Sequence, residues 1–345
     1  MEHITRFLLA NNLLQIIFEP PKVKPSRFGS RRSGGNSTTP PTPTPLLYAI
    51  QVICAPMLLS LEPHLEQAHY GFPDSQAAVY STTATKPLFG GHYGLDVNME
   101  FVLQNLNFWK YHMVREHENT LYNAFSELED YERPRWWSEQ LRQGSGKKLG
   151  KCWKGSYAYI ERSEIDALRS GRADCEQIQD YFAGEDSAFE FQDMMLEVLP
   201  EGSEVNWPPA FEQVLRSLTP PKETAKTRAQ KRSSTPDEVA QFKPLSFQFE
   251  GEGCDVAEQF FAAGWLNPLP PQQGIPGWQR MTMMKYFESE DTGEIDTDAL
   301  WAYEGVVLPG GQIILGRWWS PTEGTGEEMY SGPFILWCVD GPVPN

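Results

Sequence analysis

The segment Trp301-Ala302-Tyr303-Glu304-Gly305-Val306-Val307-Leu308-Pro309-Gly310-Gly311-Gln312-Ile313-Ile314-Leu315-Gly316-Arg317-Trp318-Trp319 decides the fold class. Two runs rich in β-branched and aromatic residues flank a Pro-Gly-Gly turn. Proline sets the first turn angle and glycine takes the positive φ that follows, so the segment reads as a β-hairpin. Alternation along a strand puts Trp301, Tyr303, Gly305 and Val307 on one face. A two-residue turn at Pro309-Gly310 would set Tyr303 opposite Gly316 and Trp301 opposite Trp318. A three-residue turn would change those partners, and both registers stay open.

Further strands are expected on either side of this hairpin. Gly150 to Ile160 reads as a strand with Trp153, Gly155, Tyr157 and Tyr159 on one face. A glycine between aromatics marks a bend or a close backbone approach. Phe189 to Leu199, Leu245 to Glu252, Trp278 to Glu288 and Gly332 to Asp340 follow as strands, with Met281, Met283 and Phe287 sharing a face of the third. Between them, Asp255 is expected to cap a short helix through Phe261 that stops at Gly264. Pro268 to Gly277 is a loop, and Ser289 to Asp298 an acidic connection. Seven or more strands with hairpin connections predict a mainly antiparallel barrel or sandwich, because parallel pairs need crossover helices. The fold class is therefore α+β, mainly antiparallel β, preceded by a helical segment. In that segment Val102, Leu106, Trp109, Met113, Leu121, Phe125 and Leu128 recur at helical spacing, which predicts two helices or one broken near Glu116. Arg133-Pro134 ends it.

Three regions result. Residues 1–46 are a disordered N-terminal segment with a short apolar start, 47–148 are mainly helical, and 149–345 form the barrel-like domain with a disordered insertion at about 219–244. Glu19 to Pro45 is dominated by Pro, Ser, Thr, Gly and Arg, which cannot bury enough apolar surface to offset the entropy of ordering. Trp207 to Leu218 reads as a short helix entered through proline. The insertion carries Lys226, Arg228, Lys231 and Arg232 beside Ser233-Ser234-Thr235-Pro236, a tract open to proline-directed phosphorylation.

The chain of 345 residues is 40% apolar and 12% aromatic, enough for a substantial core. A formal charge of -17 disfavours nucleic acid, whose binders concentrate Lys and Arg to release counterions. Cys54, Cys152, Cys175, Cys254 and Cys338 are scattered, with no zinc spacing, and fit a reducing compartment. Leu46 to Leu61 falls short of the roughly 20 apolar residues a spanning helix needs, so no membrane partner is expected. Met1 to Phe18 lacks a cleavage site, and a cytoplasmic or nuclear location is expected.

Chemistry-bearing motifs fail on inspection. Gly144-Ser145-Gly146-Lys147-Lys148 has Leu141 and Lys148 where a phosphate-binding loop needs Gly and Ser or Thr. His117-Glu118-Asn119-Thr120-Leu121 has Leu121 where a zinc-peptidase helix needs its second His, and His112 lies on a different helical face. No His follows His117, so the β-rich region has no imidazole base. Glu288, Glu290, Asp291, Glu294, Asp296 and Asp298 read as a solvated acidic turn, since they lack calcium-loop spacing. No catalytic residue, metal ligand or cofactor is assigned. The candidate binding residues are Arg317, Trp318, Trp319, Tyr303 and Trp278. Aromatic anchors carry interface energy, and Arg317 either meets a partner's carboxylate, pairs with Glu304 or stacks on a neighbouring Trp.

From Leu149 onward, Trp153-Lys154-Gly155-Ser156-Tyr157, Phe249-Glu250-Gly251-Glu252-Gly253, Leu308-Pro309-Gly310-Gly311, Gly316-Arg317-Trp318 and Gly332-Pro333-Phe334-Ile335-Leu336-Trp337 resemble a calycin-like β-barrel found C-terminal to the F-box in some fungal proteins. The resemblance implies a substrate-recognition module of a ubiquitin ligase whose F-box docks on a Skp1-type adaptor. Leu46 to Leu61 is apolar but lacks the Leu-Pro start and later Trp of an F-box. The leading expectation is a non-enzymatic intracellular adaptor that binds a protein partner, either a Skp1-type adaptor or a ligase substrate. The alternatives are a carrier of a small apolar ligand of calycin type and an enzyme using carboxylates such as Glu250, Glu252 and Asp255.

Overall fold

Across Pro309 and Gly310, Gly311 donates its backbone N–H to Leu308 O, and Leu308 donates to Ile313 O, both at 2.9 Å. Gly310 and Gly311 have φ of 98° and 68°, a region that L side chains rarely enter. The connection is therefore longer than a two-residue turn. It pairs Tyr303 with Trp318, Gly305 with Gly316 and Glu304 with Arg317, so the partners drawn for the two-residue turn do not form. The computed structural model describes residues 45–61, 71–91, 94–134, 149–171, 178–182, 191–200, 211, 246–255, 258–289, 292–321 and 329–339. The expected helix at Trp207 to Leu218, Phe211 apart, and the insertion at 219–244 lie outside these residues.

Eleven strands and six helices are described. The helices are α1 (Pro45–Ile53), α2 (Ala55–Leu58), α3 (Phe72–Val79), α4 (Met99–Val114), α5 (Tyr122–Glu127) and α6 (Arg162–Arg169). The strands are β1 (Phe89–Gly90), β2 (Asp96–Val97), β3 (Cys152–Tyr159), β4 (Tyr181–Phe182), β5 (Gln192–Val198), β6 (Phe247–Asp255), β7 (Glu258–Pro268), β8 (Gln279–Tyr286), β9 (Trp301–Val307), β10 (Ile313–Trp319) and β11 (Ser331–Cys338). Eight of them form a closed antiparallel barrel in the order β11-β10-β9-β8-β7-β6-β5-β3, with β3 returning to pair β11. Strand β4 adds to the end of β3, and β1 and β2 form a separate ribbon. Closure removes the exposed edges that a sandwich would have to protect.

The short helix expected from Asp255 to Gly264 is instead the β6–β7 hairpin, with Asp255 paired to Glu258 and Phe249 to Gly264. Its residues follow period two. Phe260, Ala262 and Leu266 join the barrel interior with Trp153, Met194, Leu196, Phe249, Met281, Met283, Ile314, Phe334 and Leu336. Alanine favours helix locally, but burial of this alternating face decides the conformation.

Interior space is shared between rings and glycines. A Cβ at Gly264 would strike the Phe249 ring and Thr282 O, one at Gly253 the Phe260 ring, and one at Gly316 the Phe334 ring and Glu304 O. The large side chains thus lie over bare backbone on the neighbouring strand, which fits them into an eight-stranded barrel.

The helices cover the outer face of β9, β10, β11 and β3. Helix α4 is buried on nearly all sides, starts at the cap bond from Phe101 N to Asn98 Oδ1, and packs on α1, α3, α5 and β10. Its Asn105 Nδ2 donates to Gly316 O at 2.7 Å. Trp337, on the outer face of β11, donates its Nε1–H to Glu132 O and packs edge-on against Phe125. Phe101, Leu106, Trp109, Trp278, Val306, Leu315, Ile335 and Trp337 make one shared core, so helices and barrel wall bury each other.

Gly316→Ala is expected to lower the unfolding free energy by about 2–3 kcal/mol, since the added methyl meets backbone and a packed ring. Urea unfolding of the full chain checks this, with Gly171→Ala, where a Cβ meets nothing nearby but φ is 66°, as the comparison that separates crowding from backbone strain.

Candidate functional site

The barrel is open at the end where β3 and β10 finish and β9 and β11 begin. There a cavity of about 310 Å³ is lined by Tyr157 and Tyr159 of β3, Trp301 and Tyr303 of β9, and Trp318 of β10. Lys285, Phe287 and Tyr330 complete the lining. Its size is at the lower end of the roughly 300–1,000 Å³ of small-molecule pockets.

Trp318 organises this wall. Its ring is met edge-on by Tyr157, Trp301 and Tyr330, with centroids 5.9, 5.3 and 5.4 Å away. Its Nε1–H donates to Ala158 O at 3.0 Å, and Gly332 opposite it lacks the side chain that would crowd the indole. Tyr330 is held by its hydroxyl, which donates to Ile160 O at 3.0 Å. Arg169 at the end of α6 anchors the start of β11, donating to Met329 O, Ser331 Oγ and Tyr80 O at 2.9, 2.8 and 2.9 Å.

Lys285 is the charged residue among the described residues of the lining, and it is buried. Its Nζ lies 4.2 Å from the centroid of the Phe260 ring, 5.2 Å from Tyr157 and 5.6 Å from Phe287. Ring faces attract an ammonium through their quadrupoles, which eases its removal from water.

Of the residues marked as binding candidates in the sequence, Tyr303 and Trp318 line this cavity. The other three do not. Trp278 is fully buried in the core shared with the helices. Trp319 is half-buried on the outer wall, beside Phe211, Met284, Leu300 and Ala302. Arg317 also points outward and is covered by α4, with its guanidinium 4.7 Å from the Phe101 centroid and 3.4 Å from Lys86 O. Glu304 faces Arg317 across the ladder, but its carboxylate pairs with Arg280. Burial pulls the Arg317 guanidinium down to about 10, against the attraction of Glu304 and with the repulsion of Arg169. The ring that Arg317 meets is thus Phe101 of α4 and not a neighbouring Trp. Glu250 and Glu252 are exposed on β6.

Lys285, Tyr157, Tyr159, Trp301, Phe287 and Tyr330 are site residues that the candidate set omits. The signal for Lys285 was parity, since it shares the face already assigned to Met281, Met283 and Phe287.

A second polar cluster ties the helical layer together. Asp180 accepts from Gln76 Nε2 and from the Tyr80 hydroxyl, each at 2.7 Å, and His112 Nε2 lies 3.2 Å from its Oδ2. Burial and the Asp180 charge raise the Tyr80 hydroxyl well above its ordinary pKa, so it remains a donor. Asp180 and His112 border a cavity of about 460 Å³ with Phe72, Tyr111 and His117. Phe72 stacks on Tyr111, and the Phe108 and Phe182 rings flank His112. The carboxylate joins α3, α4 and the 178–182 segment, which is a structural role. Among the described residues no group of three or more His, Cys, Asp or Glu side chains is placed to hold a metal ion.

Asp180→Asn is expected to cost about 1–3 kcal/mol, because one of the buried donors loses its acceptor; chemical denaturation measures it. Replacing Arg317 with Met keeps most of the volume without the buried charge, so stability should stay within about 1 kcal/mol, whereas Arg317→Ala should lose about 2–4 kcal/mol to an unfilled space. Calorimetry of the two variants distinguishes a packing role from a required cation.

Comparison of the chain with protein families, curated proteins and solved structures finds no match to any of them. The aromatic end of the barrel is therefore read from its own geometry.

Proposed function

We propose that this protein is a non-enzymatic binding barrel that holds a small, largely apolar molecule at the end where Tyr157, Trp301 and Trp318 converge. The observation that carries this is the cavity of about 310 Å³ with seven aromatic side chains and one lysine among the described residues of its lining. Binding sites of this kind are concave and mostly apolar, with few polar groups to set orientation. An eight-stranded barrel is the size at which side chains fill the interior or leave room for one small ligand. Here Leu196, Phe249, Leu266 and Met281 contribute to a filled interior, and the free space lies at the aromatic end.

A second reading keeps the barrel as a protein-recognition module, in line with its resemblance to the barrels that follow an F-box. Met195 supports it, being 54% exposed on β5 beside a recess of about 560 Å³ that Cys152, Met194 and Val339 also line. An exposed apolar anchor next to a concavity is a favourable contact for a partner side chain. In that reading Met195→Glu should reduce recovery of proteins that copurify with the tagged full-length chain, a Skp1-type adaptor and a cullin among them.

The ligand reading is tested with N-phenyl-1-naphthylamine, a neutral probe whose emission rises in apolar sites. Saturable binding at one site per chain is expected, with affinity falling about ten-fold or more in Trp301→Ala, where a half-buried wall of the cavity is removed. Absence of saturable binding to the folded chain would overturn it.

A further inference from the structure

We infer that the molecule held at the aromatic end is a flat aryl compound of one or two fused rings, and not an acyl chain. This rests on the reading of the cavity as a ligand site and specifies its occupant.

The composition of the wall is the first reason. Seven of the eight described lining residues are aromatic, and no aliphatic hydrocarbon side chain is among them. Deeper in the same barrel the interior uses Leu196, Leu266, Met281, Ile314 and Leu336 beside its phenylalanines, so the concentration of rings belongs to the mouth. A saturated body gains from such a wall only the area it buries. An aryl body gains more, because its positive edge meets ring faces and its negative face meets ring edges. The rings around Trp318 stand at 73°, 75° and 74° to it, with centroids 5.3–5.9 Å away. An inserted aryl ring extends this edge-to-face set at the same spacing.

The depth of the cavity is the second reason. Behind Tyr303 the Phe334 ring stands edge-on with its centroid 5.0 Å away, and it lies over the bare backbone of Gly305 and Gly316, where a Cβ would strike it. Phe249, Phe260, Met281 and Met283 are fully buried in the same interior. An acyl chain needs a channel that continues along the barrel axis, and in this eight-stranded barrel these side chains take that space. A compact ring system needs only the mouth, whose volume of about 310 Å³ suits a small one.

Displacement of N-phenyl-1-naphthylamine from the folded full-length chain separates the ligand classes. The competitors are 2-naphthol, decahydro-2-naphthol and 1-decanol, neutral alcohols with the same number of carbons that are aryl, saturated bicyclic and open-chain. Burial of apolar area alone would let the two saturated alcohols compete at least as well as the aryl one. 2-Naphthol is expected to bind about ten-fold or more tightly than either, the difference that a few ring contacts supply. Trp301→Leu removes one ring of the wall and keeps an apolar side chain, so it should cut that preference about three-fold or more, whereas Trp301→Phe should hold it within about two-fold. A saturated alcohol that competes as well as 2-naphthol, or a bound probe that none of the three displaces, overturns the aryl assignment without need of any variant. A preference unchanged in a folded Trp301→Leu chain also overturns it, because the selectivity would then not come from this wall. Failure of the probe itself to bind refutes the ligand site.

Discussion

The structure depends on the pairing of β3 with β11, in which Gly155 lies opposite Leu336 and Tyr157 opposite Phe334. This ladder joins strands separated by most of the barrel sequence and turns a run of hairpins into a closed wall. It forms only because Gly155 is bare. A Cβ there would collide with Ile335 O and the Leu336 side chain. Closure in turn fixes the mouth, because Tyr157 and Tyr159 can meet Trp318 and Tyr330 only when the first and last strands of the barrel are neighbours. Contacts between such distant residues are slow to find and carry a large closure entropy, so the apolar interior must outweigh that loss.

The helical layer serves the same wall from outside. Trp337 and Ile335 on β11, Leu315 on β10 and Val306 on β9 would be exposed apolar surface without α4 and α5 over them. Arg317 shows the same division of faces. It lies between two inward neighbours, Gly316 and Trp318, and so must point outward into the helices, where Phe101 and Lys86 O receive it. The residue beside it, Trp318, turns to the mouth. One strand therefore supplies both a packing residue and the central ring of the cavity.

Polar groups follow a similar economy. Asp180 and Arg169 each link segments far apart in the chain through hydrogen bonds to neutral groups. Such bonds are worth more inside the protein than at its surface, and leaving any partner without them is costly. Lys285 is turned inward near the mouth of the barrel, with the Phe260 and Tyr157 rings beside its ammonium.

Much of the barrel was legible because its strands alternate: Trp153, Gly155, Tyr157 and Tyr159 share a face in sequence and in space, and the Pro-Gly-Gly turn marks the hairpin. The β6–β7 hairpin was not legible, because Glu258-Gln259-Phe260-Phe261-Ala262-Ala263 suits a helix locally and only the ladder with β6 and β8 decides otherwise. Nor was the register of the 301–319 hairpin, which turns on how the loop uses Gly310 and Gly311. The sequence by itself determined the antiparallel class, the helical segment before the barrel, and the shared faces of Trp153, Gly155, Tyr157 and Tyr159 and of Met281, Met283 and Phe287, since these depend on period and turn chemistry. The tertiary structure alone decided barrel closure, the covering of Arg317, Trp278 and Trp319, and the meeting of Lys285 with Tyr157, Trp301 and Trp318, because those contacts join strands that sequence spacing does not relate.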